Sequence, residues 1–212
     1  EAVREMLPQR APDGNKGSFG KALVVGGSAN YIGAPGLAAG AAYRAGAGLI
    51  TVAAPQPVVN ALAAGSPEPT WLLLPHDMGV IAEGAARIIR DAASAYDALL
   101  IGPGMGREAA SGRFLSALLK STSDQASGRR SIGFRAMNAD ADTLQTDETR
   151  LPPLVIDADG LNLLSEMEDW PGLLPDETIL TPHPGEMARL CGLQVADVQR
   201  DRMALAREKA QA

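Results

Sequence analysis

Short apolar runs alternate with helix-patterned segments along this 212-residue chain. The runs occupy residues 21–25, 48–53, 71–74, 97–101, 154–156 and 178–181. Glycine, proline or polar residues bound each run, as is typical of strands buried on both faces of a parallel sheet. Strands that alternate with helices predict an α/β fold, with a mostly parallel sheet covered by helices on both faces. Residues 80–95 and 195–212 carry two of the helical patterns.

The amino-acid composition and net charge limit the kinds of partner that this chain can bind. The chain is 46% hydrophobic, which suits one domain with a sizeable core, and its formal net charge of −6 argues against a nucleic-acid or anionic-membrane surface. No apolar run approaches the ~18 residues that a membrane span needs. The single cysteine, Cys191, cannot form an internal disulfide and is expected to be a buried, inert thiol. We therefore predict a cytoplasmic protein without a nucleic-acid or membrane partner.

Two segments stand apart from the alternating pattern. Residues 1–15 are rich in turn formers and are predicted to be a linker, which leaves a domain at 16–212. Residues 121–150 are polar and poor in large apolar side chains. We predict that they form a long, mobile surface insertion.

Four of the predicted strands end in glycine-rich or polar turns, namely GGS at 26–28, GPGMG at 102–106, DADGLN at 157–162 and TPHPGE at 181–186. The carboxyl ends of parallel strands meet at one edge of a sheet, where α/β proteins bind ligands. One such turn is unremarkable, whereas four at the same edge predict a site.

The glycine-rich segments near the start of the chain are weaker signals. Lys16 precedes the first strand in a loop, KGSFG, that suits either phosphate binding or an ordinary surface turn. Gly27 lies in a tight turn whose backbone amides can approach a ligand. The spacing matches neither a P-loop nor the dinucleotide-binding glycine fingerprint.

The later turns supply side-chain chemistry. Asp157 ends a buried strand, where an ionised carboxylate needs a partner, and Asp159 is suited to cap the following helix. His183 and Glu186 flank a Pro-Gly at a predicted strand-to-helix junction. They either cap that helix or bind a ligand, with Glu186 able to hold a hydrated metal. The convergence of four turns favours the binding interpretation.

Four ordered segments resemble the ADP/ATP-dependent NAD(P)H-hydrate dehydratases: KGSFGKALVVGGSANYIGAPGLAAGAAYRAGAGLITVAAP, DALLIGPGMGR, PLVIDADGLNLL and TILTPHPGEMARLCG. The resemblance covers most of residues 7–200 apart from 121–150. It implies a ribokinase-like three-layer α/β/α fold. It also implies a repair reaction in which hydrated NADH or NADPH is dehydrated while ATP or ADP is hydrolysed. Related proteins form tetramers, so the resemblance implies a homo-oligomer.

The resemblance also implies roles for particular residues. Ala38, Gly102, Gly104 and His183 would contact the hydrated nicotinamide nucleotide, and Asp157 and Asn162 would order its phosphate region. Lys16, Gly27 and Glu186 would bind the adenine nucleotide, with Glu186 also a ligand of Mg²⁺.

In this family a lysine-glycine nucleotide-binding segment and a GSGD-type helix N-terminus follow the matched region. The resemblance therefore implies that the catalytic base lies beyond Ala212 and that the fold lacks its C-terminal part. It likens LPQR to the linker that follows an epimerase domain in bifunctional relatives.

Two other functions remain open at this point. One is a small-molecule kinase of the same fold, acting on a vitamin precursor or a sugar. His183 argues against it, because kinases of this superfamily are expected to carry Asn there. The other is a non-catalytic nucleotide-binding module.

Overall fold

A computed structural model describes residues 13–120 and 151–211. Six strands form one parallel sheet: β1 (Lys21–Val25), β2 (Leu49–Pro55), β3 (Thr70–Leu74), β6 (Ala98–Ile101), β7 (Leu154–Ile156) and β8 (Thr178–Leu180). Their order across the sheet is β3-β2-β1-β6-β7-β8. A separate two-stranded antiparallel hairpin comprises β4 (His76–Asp77) and β5 (Val80–Ile81). All six predicted strands are confirmed, each within two residues of its predicted bounds.

Helices cover both faces of this sheet. Their bounds are α1 (Gly33–Ala45), α2 (Gln56–Ala63), α3 (Ala85–Ala93), α4 (Ala109–Leu119), α5 (Asp159–Leu164), α6 (Pro184–Cys191), α7 (Val195–Arg200) and α8 (Arg202–Gln211). Buried side chains of α1 and α2 pack with β1 and β2 on one face. Those of α3, α4, α5 and α6 form the larger core on the other face. The predicted three-layer α/β/α arrangement is confirmed.

Residues 80–95 do not form one helix as predicted. Val80 and Ile81 instead pair with His76 and Asp77, through a tight turn in which Met78 and Gly79 both have positive φ. Val80 and Ile81 are nevertheless buried, and Ile81 packs in the core to which α3 also contributes. The apolar spacing was therefore a burial signal for two different elements.

The closing segment 195–212 is also divided rather than continuous. Asp201 has a non-helical backbone, with φ −153° and ψ 86°, and separates α7 from α8. Its carboxylate accepts a hydrogen bond from the Ala204 N–H at 2.9 Å, as an N-cap does. Most of the predicted linker at 1–15 lies outside the described residues. The predicted insertion at 121–150 lies wholly outside them.

The strand order fixes where a ligand is expected. From β1 the chain moves outward to β2 and β3, and it then returns to the other side of β1 with β6, β7 and β8. The carboxyl ends of β1 and β6 thus form a topological switch point, where open α/β sheets leave a crevice. β8 lies two strands further along the same edge, roughly 10 Å from β6.

Candidate functional site

The turns that follow β1 and β6 interlock at the switch point. The Gly27 N–H donates to the Pro103 carbonyl at 2.8 Å, and the Gly102 N–H donates to the Val25 carbonyl at 3.1 Å. A Cβ atom on Gly26 would lie 2.3 Å from the Pro103 carbonyl oxygen, so a side chain there is excluded. Glycine is needed in these turns for close backbone approach, as the sequence predicted.

A cleft of about 330 Å³ opens beside these turns. Its lining comes from Asn30 and Tyr31 after β1, from residues 106–108 after β6, and from Asp159 after β7. Tyr31 is exposed and abuts Gly104, where a Cβ atom would lie 2.9 Å from the tyrosine Cβ. The cleft thus presents an aromatic side chain, backbone groups and charged side chains at the switch point.

The turn after β7 brings two carboxylates to the same edge. Asp157 accepts a hydrogen bond from the Thr181 hydroxyl at 2.7 Å. Asp159 accepts one from the Gly106 N–H at 3.0 Å, which ties the turn after β7 to the turn after β6. Between them, Ala158 has φ 52° and ψ −119°, a strained backbone for a residue other than glycine. Such strain concentrates at functional sites because the surrounding structure has to maintain it.

His183 and Glu186 form a reciprocal cap at the start of α6. The His183 N–H donates to Glu186 Oε2 at 2.9 Å, while His183 Nδ1 accepts from the Gly185 N–H at 3.0 Å and from the Glu186 N–H at 3.4 Å. Because Nδ1 accepts, the neutral ring carries its proton on Nε2, which lies 3.2 Å from Glu186 Oε1. The His183 side chain is 62% exposed and that of Glu186 only 6%. The cap therefore fixes an accessible imidazole at the sheet edge.

The contacts of the Glu186 carboxylate are relevant to the prediction that it ligates Mg²⁺. Each of its carboxylate oxygens lies within 3.2 Å of a His183 nitrogen. Within residues 13–120 and 151–211, no group of three or more His, Cys, Asp or Glu side chains is placed to hold a metal. A protein-built Mg²⁺ cage does not fit this part of the chain, and direct ligation by Glu186 stays a prediction.

Asn162 connects α5 to α6. Its Nδ2 donates to the Ala158 carbonyl at 3.2 Å, and its Oδ1 accepts from Arg189 Nη1 at 3.0 Å. Both ends of the amide are thus engaged within the chain. No sequence motif singles out Arg189, which lies six positions after His183 on an exposed part of the helix.

Two predicted residues lie apart from these turns. The Lys16 carbonyl oxygen would be 1.8 Å from a Cβ atom on Gly48, so Lys16 packs beside the amino end of β2, at the opposite edge of the sheet. Ala38 lies in α1 one helical turn beyond Ala34 and packs against the core. A Cβ atom on Gly104 would lie 2.8 Å from the Ala34 Cβ, so Ala34 is the residue of α1 that meets this turn. The roles of Lys16 and Ala38 stay predictions.

The structure thus brings Gly27, Gly102, Gly104, Asp157, Asn162, His183 and Glu186 to one edge of the sheet. Ser28 is fully buried in the turn after β1, and its hydroxyl has no hydrogen-bond partner within the described residues. A buried hydroxyl of this kind is satisfied when a water molecule or ligand group reaches it. Among the described residues, no helix is both long enough and apolar enough to cross a bilayer.

Comparison with known proteins places these turns in a family. The family model for NAD(P)H-hydrate dehydratase matches residues 22–128 and 131–212. The bifunctional NAD(P)H-hydrate repair enzyme of Moorella thermoacetica is 36% identical over 206 residues, which are 96% of this chain and 33% of that enzyme.

Two solved structures share the fold. The ADP/ATP-dependent NAD(P)H-hydrate dehydratase of Bacillus subtilis, co-crystallised with ATP and Mg²⁺, superposes with a TM-score of 0.65 and 27% identity, covering 98% of this chain and 60% of that one. A ribokinase-like superfamily protein from Enterococcus faecalis gives a TM-score of 0.64 at 24% identity, covering 96% of this chain and 58% of that one. The chain thus spans about a third of the bifunctional relative and about three fifths of these structures.

Proposed function

Because this chain belongs to the NAD(P)H-hydrate dehydratase family, we propose that it repairs hydrated NADH or NADPH by dehydration coupled to hydrolysis of ADP or ATP. The observation that carries the proposal is the location of the turns that hold the resemblance. All four follow neighbouring strands at one edge of the sheet, and a cleft opens at its switch point. Ligands bind at such edges in α/β proteins.

The proposed reaction makes a good leaving group from a poor one. The hydroxyl left on the nicotinamide ring by hydration loses its proton and receives the terminal phosphoryl group of ATP or ADP, so that ADP or AMP departs. The carbon–oxygen bond then breaks, phosphate departs, and a proton leaves the neighbouring carbon so that the ring double bond forms again.

The described residues would bind and orient the reactants. His183 offers a ligand its exposed imidazole, whose orientation Glu186 and the first amides of α6 maintain. The turns at Gly27, Gly102 and Gly104 allow a ligand to approach the backbone closely. Asp157, held by Thr181, can accept hydrogen bonds from the hydroxyl groups of a sugar.

We propose that Mg²⁺ binds together with the nucleotide. Since no described cluster forms a cage, we expect the ion to arrive coordinated by the nucleotide's phosphates and water, as Mg²⁺ commonly does. The B. subtilis structure, obtained with ATP and Mg²⁺, supports this expectation by similarity.

The partners and setting follow from the same proposal. The small-molecule partners are hydrated NADH or NADPH and an adenine nucleotide. By resemblance, we also propose that the protein forms a homo-oligomer, a tetramer, and that it is located in the cytoplasm. Size measurement by light scattering tests the oligomeric state directly.

The activity is tested by mixing the full-length protein with hydrated NADPH and ATP or ADP. We expect the absorbance band of the reduced nicotinamide to return while one phosphate is released per coenzyme formed. Omission of the nucleotide is the control and should leave the band flat. Nucleotide consumption without the band would indicate a kinase, and binding without turnover would indicate a non-catalytic module. Either result would contradict the proposal.

A further inference from the structure

Arg189 places a cation beside the start of α6. Helical side chains lean towards the N-terminus of their helix, and that of Arg189 reaches back to the first turn. A Cβ atom on Gly185 would lie 3.8 Å from Arg189 Nη1. The same nitrogen donates to Asn162 Oδ1 at 3.0 Å, which holds the guanidinium between α5 and α6.

The charge of Arg189 is not neutralised by its partner. Asn162 is a neutral amide, and no carboxylate of the described residues lies within 4.0 Å of the Arg189 guanidinium nitrogens. Arg107, at the switch-point cleft, instead pairs with Glu166 at 2.7 Å. A guanidinium carries five N–H donors, and only the bond to Asn162 uses them among the residues that the structure describes.

An anionic ligand needs such a cation at this edge. Asp157, Asp159 and Glu186 all bring carboxylates to it, and like charges repel a phosphate. Arginine suits phosphate better than lysine does, because its planar fork donates two parallel hydrogen bonds.

We propose that Arg189 binds a phosphate group of the nucleotide ligands and that Asn162 positions it. This inference rests on the proposed function, which supplies the nucleotides. The phosphate belongs either to the nicotinamide dinucleotide or to the adenine nucleotide, and the chemistry that recognises it is the same. Asn162 itself acts through Arg189, since its own amide is engaged at both ends.

The test measures the dissociation constants of NADH and ADP by calorimetry, using the full-length protein and its Arg189→Gln and Arg189→Lys variants. We expect Arg189→Gln to raise the dissociation constant of at least one ligand tenfold or more. Arg189→Lys should raise that constant less. We also expect affinity for that ligand to fall less steeply with added salt in Arg189→Gln, because one charge contact is gone. The ligand that weakens identifies the source of the phosphate. The matched control is Arg113→Gln, whose arginine pairs with Glu83 at 3.5 Å and should leave both constants unchanged.

A second pair of variants separates positioning from direct contact. If Asn162 acts through Arg189, then Asn162→Ala weakens the same ligand in the wild-type background and has no further effect in Arg189→Gln. Additive losses would show that Asn162 touches the ligand itself and would overturn its positioning role.

The two proposals fail in different ways. Wild-type dehydration with unchanged constants for both ligands in Arg189→Gln would overturn the role of Arg189 and leave the proposed function standing. Weakened binding in Arg189→Gln without any wild-type dehydration would overturn the proposed function and support the role of Arg189. A wild-type protein that binds neither probe would overturn both.

Discussion

The substitution Gly102→Ala tests whether close backbone packing builds the candidate site. Gly102 has φ 123°, and a Cβ atom there would lie 1.9 Å from the Asp157 carbonyl oxygen and 2.8 Å from the Gly160 nitrogen. Both atoms belong to backbone that cannot rotate away. The Asp157 N–H donates to the Ile101 carbonyl at 3.0 Å, and the Gly160 N–H donates to the Asp157 carbonyl at 2.9 Å. The turns after β6 and β7 must therefore separate to admit one methyl group.

Two costs add in this variant. Overpacking costs about 1–3 kcal/mol, and an alanine in a strained backbone region costs about 1–3 kcal/mol more. A loss of roughly 2–6 kcal/mol lowers the unfolding midpoint of a chain of this size by about 4–24 °C. Thermal unfolding followed by far-ultraviolet circular dichroism measures this shift.

Gly112→Ala is the matched control for that measurement. Gly112 lies in α4 with negative φ, and an added Cβ atom would meet only Leu163 Cδ2, at 3.8 Å. Alanine is the better helix former by up to about 1 kcal/mol, so this variant should keep or slightly raise the midpoint. A Gly102→Ala midpoint within about 2 °C of the wild type would refute the packing account.

Three further changes have directions set by the structure. Glu186→Ala removes one half of the α6 cap and should lower the free energy of unfolding by about 1–2 kcal/mol in urea titrations; an unchanged midpoint would contradict the cap. Ser28→Ala removes a buried hydroxyl without a described partner, so it should stabilise the ligand-free protein by up to about 1 kcal/mol. Burial raises the pKa of the Cys191 thiol, with smaller contributions from Lys209 and Glu208. Less thiolate is then present at neutral pH, so alkylation of Cys191 should be slower than alkylation of a free thiol and should accelerate as pH rises. An alkylation rate equal to that of a free thiol at neutral pH would contradict this expectation.

Much of the fold was predictable because buried strands leave a direct mark on the sequence. Apolar runs bounded by glycine, proline or polar residues predicted every strand of the parallel sheet. The segment 80–95 was predicted wrongly because apolar residues spaced for a helix also suit a hairpin followed by a shorter helix. Only the turn at Met78-Gly79, with positive φ at both residues, distinguishes the two. The strand order, and with it the switch point, depends on pairing between distant segments and has no local signal.

The residues of the candidate site were predictable where they directly follow the end of a strand. The turns at Gly27, Gly102, Asp157 and His183 reach one edge because parallel strands share their direction. Arg189 has no such signal. Its guanidinium reaches the edge only through the backward lean of a helical side chain and a bond to Asn162 in another helix.

A comparison of the dehydration rates of the wild type and His183→Asn, with hydrated NADPH and ATP, tests whether the exposed imidazole takes part in the reaction. Asparagine is a good N-cap, so this variant should keep the start of α6 and unfold within about 1 kcal/mol of the wild type. It lacks the imidazole that the cap exposes at the sheet edge. We expect the rate of His183→Asn to be at least tenfold lower than that of the wild type, with folding retained. An equal rate would show that the β8–α6 turn is not part of the reaction site.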